Sequence, residues 1–197
     1  MRARPKLISR STIYQGRVIR LVRDVLEIKG ARHVRETILH PGAVVIVPLL
    51  DHSRIVFVRQ YRRAVDRELL ELPAGTRDRR ESMESCARRE LQEETGYRAR
   101  RLRRLVQFYA APGILSEQMT IFLAEDLQPG PASPEPDEDV RTVILTRAQA
   151  LAKVCSGTIC DAKTLIGLLM LERLLDGVVG QFQCSAEVSA FSVPKSV

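Results

Sequence analysis

The sequence predicts an α+β fold, a mixed β-sheet with helices packed on its faces. Three observations carry that prediction. Runs of β-branched and aromatic residues dominate the middle of the chain. One amphipathic helix interrupts them after Gly75, and two more helical stretches close the pattern before Gly177.

In chain order, residues 1–10 are basic and are expected to fray. Ser11 to Lys29 alternates around Val18 to Glu27, with a break near Arg23 and Asp24, and reads as a strand pair or one bent strand. Val34 to Leu39 reads as an edge strand. Gly42 to Leu50 is a continuous apolar run of the kind that is buried on both faces. Asp51-His52-Ser53 turns the chain into RIVFVRQYR, residues 54–62, whose composition favours a strand. ELLELPAG, residues 68–75, is expected to be the next strand, ended by Gly75. YRARRLRRLVQFY, residues 97–109, reads as a strand with a solvated arginine face, and a Pro-Gly loop leads from it into another strand. Residues 128–139 are rich in proline and acid and read as a surface loop, because too little chain follows for a second core. Val140 to Leu145 is a strand. Thr146 caps a helix to about Val154, and Asp161 caps a last one closed by Gly177. The final twenty residues are expected to be a poorly ordered tail.

The central helix carries the chemistry. After a polar run, Met83, Ala87 and Leu91 recur at four-residue steps, the stripe of a helix lying on a core. Ser82 stands as its N-cap and Gly96 as a left-handed C-terminal cap. Glu90 and Glu94, four apart, point the same way, and Glu93 lies three from Glu90 on the adjoining surface. Like charges at this spacing cost a bare helix about 0.2–0.5 kcal/mol, part of which Arg89 offsets by pairing with Glu93. Acidic helix faces are usually solvated. Three carboxylates at one helix end, with Glu81 at the other, also suit a hard divalent cation such as magnesium, which takes oxygen ligands, keeps several waters and completes its shell with substrate phosphates.

Taken together, Gly75, five residues, Glu81, seven residues and then Arg89-Glu90-Leu91-Gln92-Glu93-Glu94-Thr95-Gly96-Tyr97 resembles the Nudix box of the Nudix hydrolases. Only Tyr97 departs from the pattern, at a position that is usually aliphatic. Glu and Gly each make up roughly 7% of proteins, so seven fixed positions coincide by chance on the order of once in 10⁸ starts. The resemblance implies an α/β/α sandwich preceded by N-terminal strands, and a magnesium-dependent hydrolase of a nucleoside diphosphate linked to another group. Manganese is an expected substitute.

Further stretches are similar to the ADP-ribose pyrophosphatase branch: VRQYRRAVDRELLELPAG (58–75), Pro112 sixteen positions beyond Gly96 and followed by Ser116-Glu117, GTICDAKTLIGLL (157–169), and RETILHPGAVVIVPL (35–49). The resemblance implies hydrolysis of ADP-ribose to AMP and ribose 5-phosphate. Glu90 and Glu94 would be metal ligands, with Glu93 bridging or behind them. The Ala74 carbonyl would be a further ligand, and Gly75, Glu81 and Arg89 would support the cluster. Glu117 would be the general base, with Glu93 the other candidate. Arg35, Arg59 and Arg62 are candidates for the phosphates, since a guanidinium fork matches phosphate oxygens. Glu36 would serve a ribose or adenine amine. Residues 1–41 would be a dimerisation region, 42–177 the Nudix domain and 178–197 a tail, in a homodimer whose active sites draw on both chains.

Composition bounds the alternatives. With 197 residues and 45% hydrophobic content the chain can bury one sizeable core. A net charge of +7 and a pI near 9.6 favour polyanionic ligands. The length and sequence exclude a membrane-spanning run, and the N-terminus lacks the apolar core of a signal peptide. Cys86, Cys155, Cys160 and Cys184 show no disulfide or metal spacing, so free thiols in a cytoplasmic setting are expected, with Cys155 and Cys160 buried. His33, His40 and His52 receive no catalytic role. The competing readings are a Nudix hydrolase of a nucleotide sugar, dinucleotide or oxidised nucleotide, and a non-catalytic regulator acting on nucleic acid. The intact box glutamates and the short tail weigh against the regulator, and nucleic acid is not an expected partner.

Overall fold

The computed structural model describes residues 4–78, 80–133 and 139–177; the expected tail with Cys184 and part of the acidic loop lie outside them. The chain runs through β1 (Lys6–Gln15), β2 (Arg20–Ile28), β3 (Ala31–Leu39), β4 (Ala43–Pro48), β5 (Arg54–Arg62), β6 (Arg67–Glu71) and β7 (Ala74–Thr76) into α1 (Met83–Thr95). It continues through β8 (Tyr97–Tyr109), β9 (Gln118–Pro129) and β10 (Val140–Thr146) to α2 (Arg147–Cys155) and α3 (Ala162–Leu175). Among the described residues the strands form three sheets, ordered β1-β2-β3, β10-β5-β6 and β7-β4-β9-β8. The last is mixed: β4 runs parallel to β9, and the other pairs are antiparallel.

β4 is buried at every position, as its unbroken apolar run requires. Because successive side chains alternate, its two faces serve two helices. Val44 and Ile46 meet Cys86, Ala87 and Leu91 of α1 together with Phe122 and Ala124. Val45 and Val47 meet Leu168 and Leu171 of α3 together with Leu72, Ile121 and Leu123. The sheet therefore lies between helices, in the expected α/β/α order. α3 approaches closely because Gly167 carries no side chain: a Cβ there would lie 2.5 Å from Leu72 Cδ1. Tyr97, the departure from the box pattern, is partly buried against the α1 cluster, in the place an aliphatic residue would fill. Among the described residues no helix is long and apolar enough to cross a membrane.

Four local expectations are corrected. The stretch expected to fray is ordered from Lys6, as β1 pairs along β2. All ten of its side chains are exposed, so no apolar alternation marks it in the sequence. β2 has no break at Arg23-Asp24; Asp24 is buried there and takes a two-pronged hydrogen bond from Arg10, Nε to Oδ1 and Nη2 to Oδ2, both at 2.7 Å. ELLELPAG is two strands, not one. Pro73 lies between β6 and β7, and its carbonyl accepts from Ile46 N–H at 2.8 Å as the chain crosses from one sheet to the other. Gly75 is therefore the middle of β7, opposite Val44, rather than a strand end. Cys155 and Cys160 are exposed, not buried; Cys155 ends α2, Cys160 lies just before the cap of α3, and Cys160 Sγ accepts from Arg67 Nη2 at 3.0 Å.

Gly96 closes α1 with φ at +73°, and a Cβ there would meet Gly130 O at 2.6 Å. Gly96→Ala is expected to lower stability by roughly 1–3 kcal/mol through left-handed strain and this clash. The check is urea unfolding, in which the midpoint should drop while the slope stays constant.

Candidate functional site

α1 begins on the Ser82 hydroxyl, which accepts from Ser85 N–H at 3.0 Å. With Ala87 and Leu91 buried under the sheet, the helix turns Glu90 and Glu94 toward β7, where they are only 9% and 4% exposed. Burying two carboxylates one helical turn apart works against stability unless polar groups meet them. The strand supplies its backbone. Ala74 N–H donates to Glu94 Oε2 at 3.1 Å. Gly75 lets the Glu90 carboxyl lie flat against the chain, for a Cβ at Gly75 would sit 1.9 Å from Glu90 Cδ. The box glycine is thus required by a close approach and not by a turn.

Arg89 gathers the remaining charges. Its Nε and Nη2 donate to Glu81 at 3.1 and 3.0 Å, and its Nη1 donates to Glu90 at 2.8 Å and to Glu93 at 2.9 Å. The sequence spacing identified only the last of these pairs. The hydrogen bond from Arg89 holds Glu81 below the usual carboxylate range, and the bond to Glu81, with Glu90 and Glu93 behind it, raises Arg89 itself. Beneath this cluster, burial pushes the Cys86 thiol up to about 12, and the charges of Glu81 and Glu90 add to the effect.

Arg62 also belongs to this side of the molecule. Its Nε and Nη2 donate to Glu71 Oε2 at 3.0 and 2.6 Å. Burial opposes its charge, but Glu71, Glu94 and Asp161 together raise its pKa. Arg59 is not brought to the glutamates: odd spacing from Arg62 puts it on the other face of β5, 4.0 Å from Glu68. Arg35 and Glu36 lie on β3, where Glu36 pairs with Arg23 at 3.0 Å and Arg35 Nη1 donates to the Val34 carbonyl.

Glu117 stands at a second position, at the entry to β9. It lies beside His40, Nδ1 to Oε1 at 3.5 Å, and both side chains are largely buried. His40 Nδ1 accepts from Gly42 N–H at 3.1 Å, and His40 N–H donates to Ser116 Oγ at 3.0 Å. Burial lowers the His40 pKa, and the charge of Glu117 works in the opposite direction. Sequence reasoning missed His40 because its partner is 77 positions away, and no local pattern joins them.

The donors fit a hard divalent cation: carboxylate oxygens set against a strand backbone whose side chain is missing where the carboxyl rests. Among the described residues no three acidic, imidazole or thiol groups stand together in metal-holding positions. Arg89 supplies the positive charge among Glu81, Glu90 and Glu93.

A model of the NUDIX domain matches residues 39–157, more than half of the chain. The chain is 39% identical over 170 residues to the ADP-ribose pyrophosphatase of Bacillus subtilis (strain 168), covering 85% of this chain and 92% of that one. It is 34% identical over 170 residues to the methanol dehydrogenase activator of Bacillus methanolicus, covering 85% and 92%. To the GDP-mannose pyrophosphatase of Citrobacter koseri it is 35% identical over 145 residues, covering 68% and 75%. A crystal structure described as an ADP compounds hydrolase superposes with a TM-score of 0.80 at 27% identity, covering 89% of this chain and 96% of that one.

The lowered pKa of Glu81 sets a direction for acid stability. Its pairing with Arg89 stabilises the fold fully above the ordinary value of 4.5 and is lost as the pH falls through the depressed one. Arg89→Met should therefore be less stable than the parent at neutral pH, with the gap narrowing below pH 4.5. Urea unfolding at several pH values measures the gap, and a constant difference would contradict the pairing.

Proposed function

The chain belongs to the Nudix hydrolase family, and we propose that it hydrolyses the diphosphate linkage of ADP-ribose to AMP and ribose 5-phosphate, with magnesium as its metal and manganese as a substitute. It is a hydrolase of a nucleoside diphosphate linked to another group. The observation that carries the mechanism is the buried pair Glu90 and Glu94 set against Ala74 and Gly75. The likeness to an ADP-ribose pyrophosphatase over most of both chains supports the choice of substrate.

Glu90 and Glu94 would hold the cation, with Glu93 beside them and the Ala74 carbonyl as a further oxygen ligand. When bound, the cation neutralises charge on the diphosphate and acidifies water. The chain's own groups do the rest. Water oxygen adds to a phosphorus, the bond from that phosphorus to the bridging oxygen breaks, and the proton of the water goes to a carboxylate. Glu117 takes it in this proposal, from a loop that places it near the entry of β9; Glu93 is the second candidate. Arg62, whose charge Glu71 and Glu94 both favour, holds phosphate oxygens with the guanidinium donors that Glu71 does not take. Arg59, Arg35 and Glu36 are assigned to the rest of the substrate. Within one chain Arg35 and Glu36 make their contacts on β2 and β3, away from the glutamates, which supports a homodimer in which residues 1–41 reach a partner's site. Leu7, Ile8, Ile13, Tyr14 and Val34 are exposed on β1 and β3, an apolar surface suited to a second copy. Residues 42–177 would then be the catalytic domain, and the free thiols support a cytoplasmic setting.

The likeness to GDP-mannose pyrophosphatases favours one other reading, a different nucleoside diphosphate derivative handled by the same groups. Product analysis with magnesium decides between them, offering ADP-ribose beside GDP-mannose, dinucleotides and nucleoside triphosphates. AMP and ribose 5-phosphate should appear fastest, from ADP-ribose. Glu94→Gln should lower kcat by roughly 100-fold, as expected when a charge that holds the metal is removed. Faster turnover of another compound would discard ADP-ribose and keep the mechanism.

A further inference from the structure

Glu71, at the end of β6, is 1% exposed, the deepest acidic residue among those described. A carboxylate so placed keeps its charge only where cations meet it. Two do, and on the same oxygen. Glu71 Oε2 accepts from Arg62 Nη2 at 2.6 Å and Nε at 3.0 Å, and it lies 3.0 Å from Lys163 Nζ. Lys163 is in turn 2.9 Å from Asp161 Oδ2, the same atom that caps α3 by accepting from Thr164 N–H at 3.1 Å. Thr164 Oγ1 accepts from Leu72 N–H at 2.9 Å. The first turn of α3 is thereby joined to Glu71 and Leu72, just before the Ala74-Gly75 backbone that meets Glu94 and Glu90.

Arg62 is the member of this network that reaches outward: its side chain is 36% exposed, against 12% for Lys163 and 2% for Glu71. A single carboxylate oxygen cannot compensate two cations fully. Three donors compete for the lone pairs of Oε2, so the hydrogen bonds from Arg62 are weaker with Lys163 present than they would be without it. The guanidinium is thus left with donors to spare for an anion on its exposed side. We propose that Lys163 is a positioning residue: by sharing Oε2 of Glu71 it limits the hold of Glu71 on Arg62 and leaves Arg62 free to bind the substrate diphosphate. The proposal rests on the reading of Arg62 as a phosphate-binding arginine. Without Lys163, Glu71 and Arg62 form a closed ion pair, and diphosphate affinity falls while the groups that carry the chemistry are untouched.

The test uses ADP, a diphosphate probe that does not depend on which derivative is the substrate. Its Kd is measured by calorimetry on the full-length protein, with kcat for ADP-ribose and thermal melting alongside. Lys163→Met should weaken ADP binding about tenfold and change kcat less than about threefold, since about 1.4 kcal/mol of lost attraction is a factor of ten. Lys163→Arg should restore affinity. The double variant Glu71→Gln with Lys163→Met removes both charges; it should bind ADP within about threefold of the parent even if it melts earlier, and it serves the test if the single variant does not fold. A purely structural role predicts the opposite, with affinity following melting temperature through the whole set, and that result overturns the proposal. Arg62→Met separates the two readings. If it leaves the Kd unchanged, the assignment of Arg62 fails; if it weakens ADP binding while Lys163→Met does not, only the role of Lys163 fails.

Discussion

The contact between Gly75 and the Glu90 carboxyl is the constraint on which the rest of the site depends. A helix bearing two acidic residues can turn them inward only where the neighbouring strand offers polar backbone and no side chain. β7 does so in three residues, through the missing Cβ of Gly75 and the N–H of Ala74. Its position is set in turn by pairing with β4, whose opposite face is packed by α3. The two hydrophobic clusters on either side of β4 therefore hold the backbone that holds the glutamates. Small displacements of that backbone are resisted by dense packing, as positioning of a charged site requires.

Charge balance completes the arrangement. Arg89 is shared by Glu81, Glu90 and Glu93, and Arg62 and Lys163 share Glu71. None of these pairs is an optimal stabiliser, since buried ions lose hydration that pairing recovers only in part. These pairs involve buried carboxylates, Glu71 and Glu90, whereas the arginines of β8 are exposed to solvent.

How much of this is legible in the sequence follows from the range of each signal. β4 and α1 are readable because burial on two faces leaves an unbroken apolar run, and burial on one face leaves a period near four. The caps Ser82, Gly96, Thr146 and Asp161 are readable because capping is local. β1 is not, since its order comes from hydrogen bonds to β2 and from Arg10 on Asp24, with no buried side chain to leave a pattern. The crossing at Pro73 is hidden because only Leu72 and Pro73 separate β6 from β7, too few residues for a turn pattern to mark the change of sheet. The box glutamates are visible in register, whereas their burial against Gly75 is a tertiary fact. His40 with Glu117, and Lys163 with Glu71, are joined across 77 and 92 positions, distances at which one sequence carries no spacing signal. The exposure of Cys155 and Cys160 likewise depends on how α2 and α3 flank the sheet.

Glu90 and Glu94, seated against Gly75, are the proposed cation site. It is tested most directly by magnesium binding to the purified protein and to Gly75→Ala, measured by titration calorimetry after circular dichroism has shown both to be folded. The parent should bind magnesium saturably and the variant at least about tenfold more weakly, because the added methyl forces the Glu90 carboxyl out of its seat. Equal affinity in the two proteins would contradict this assignment and would place the metal elsewhere.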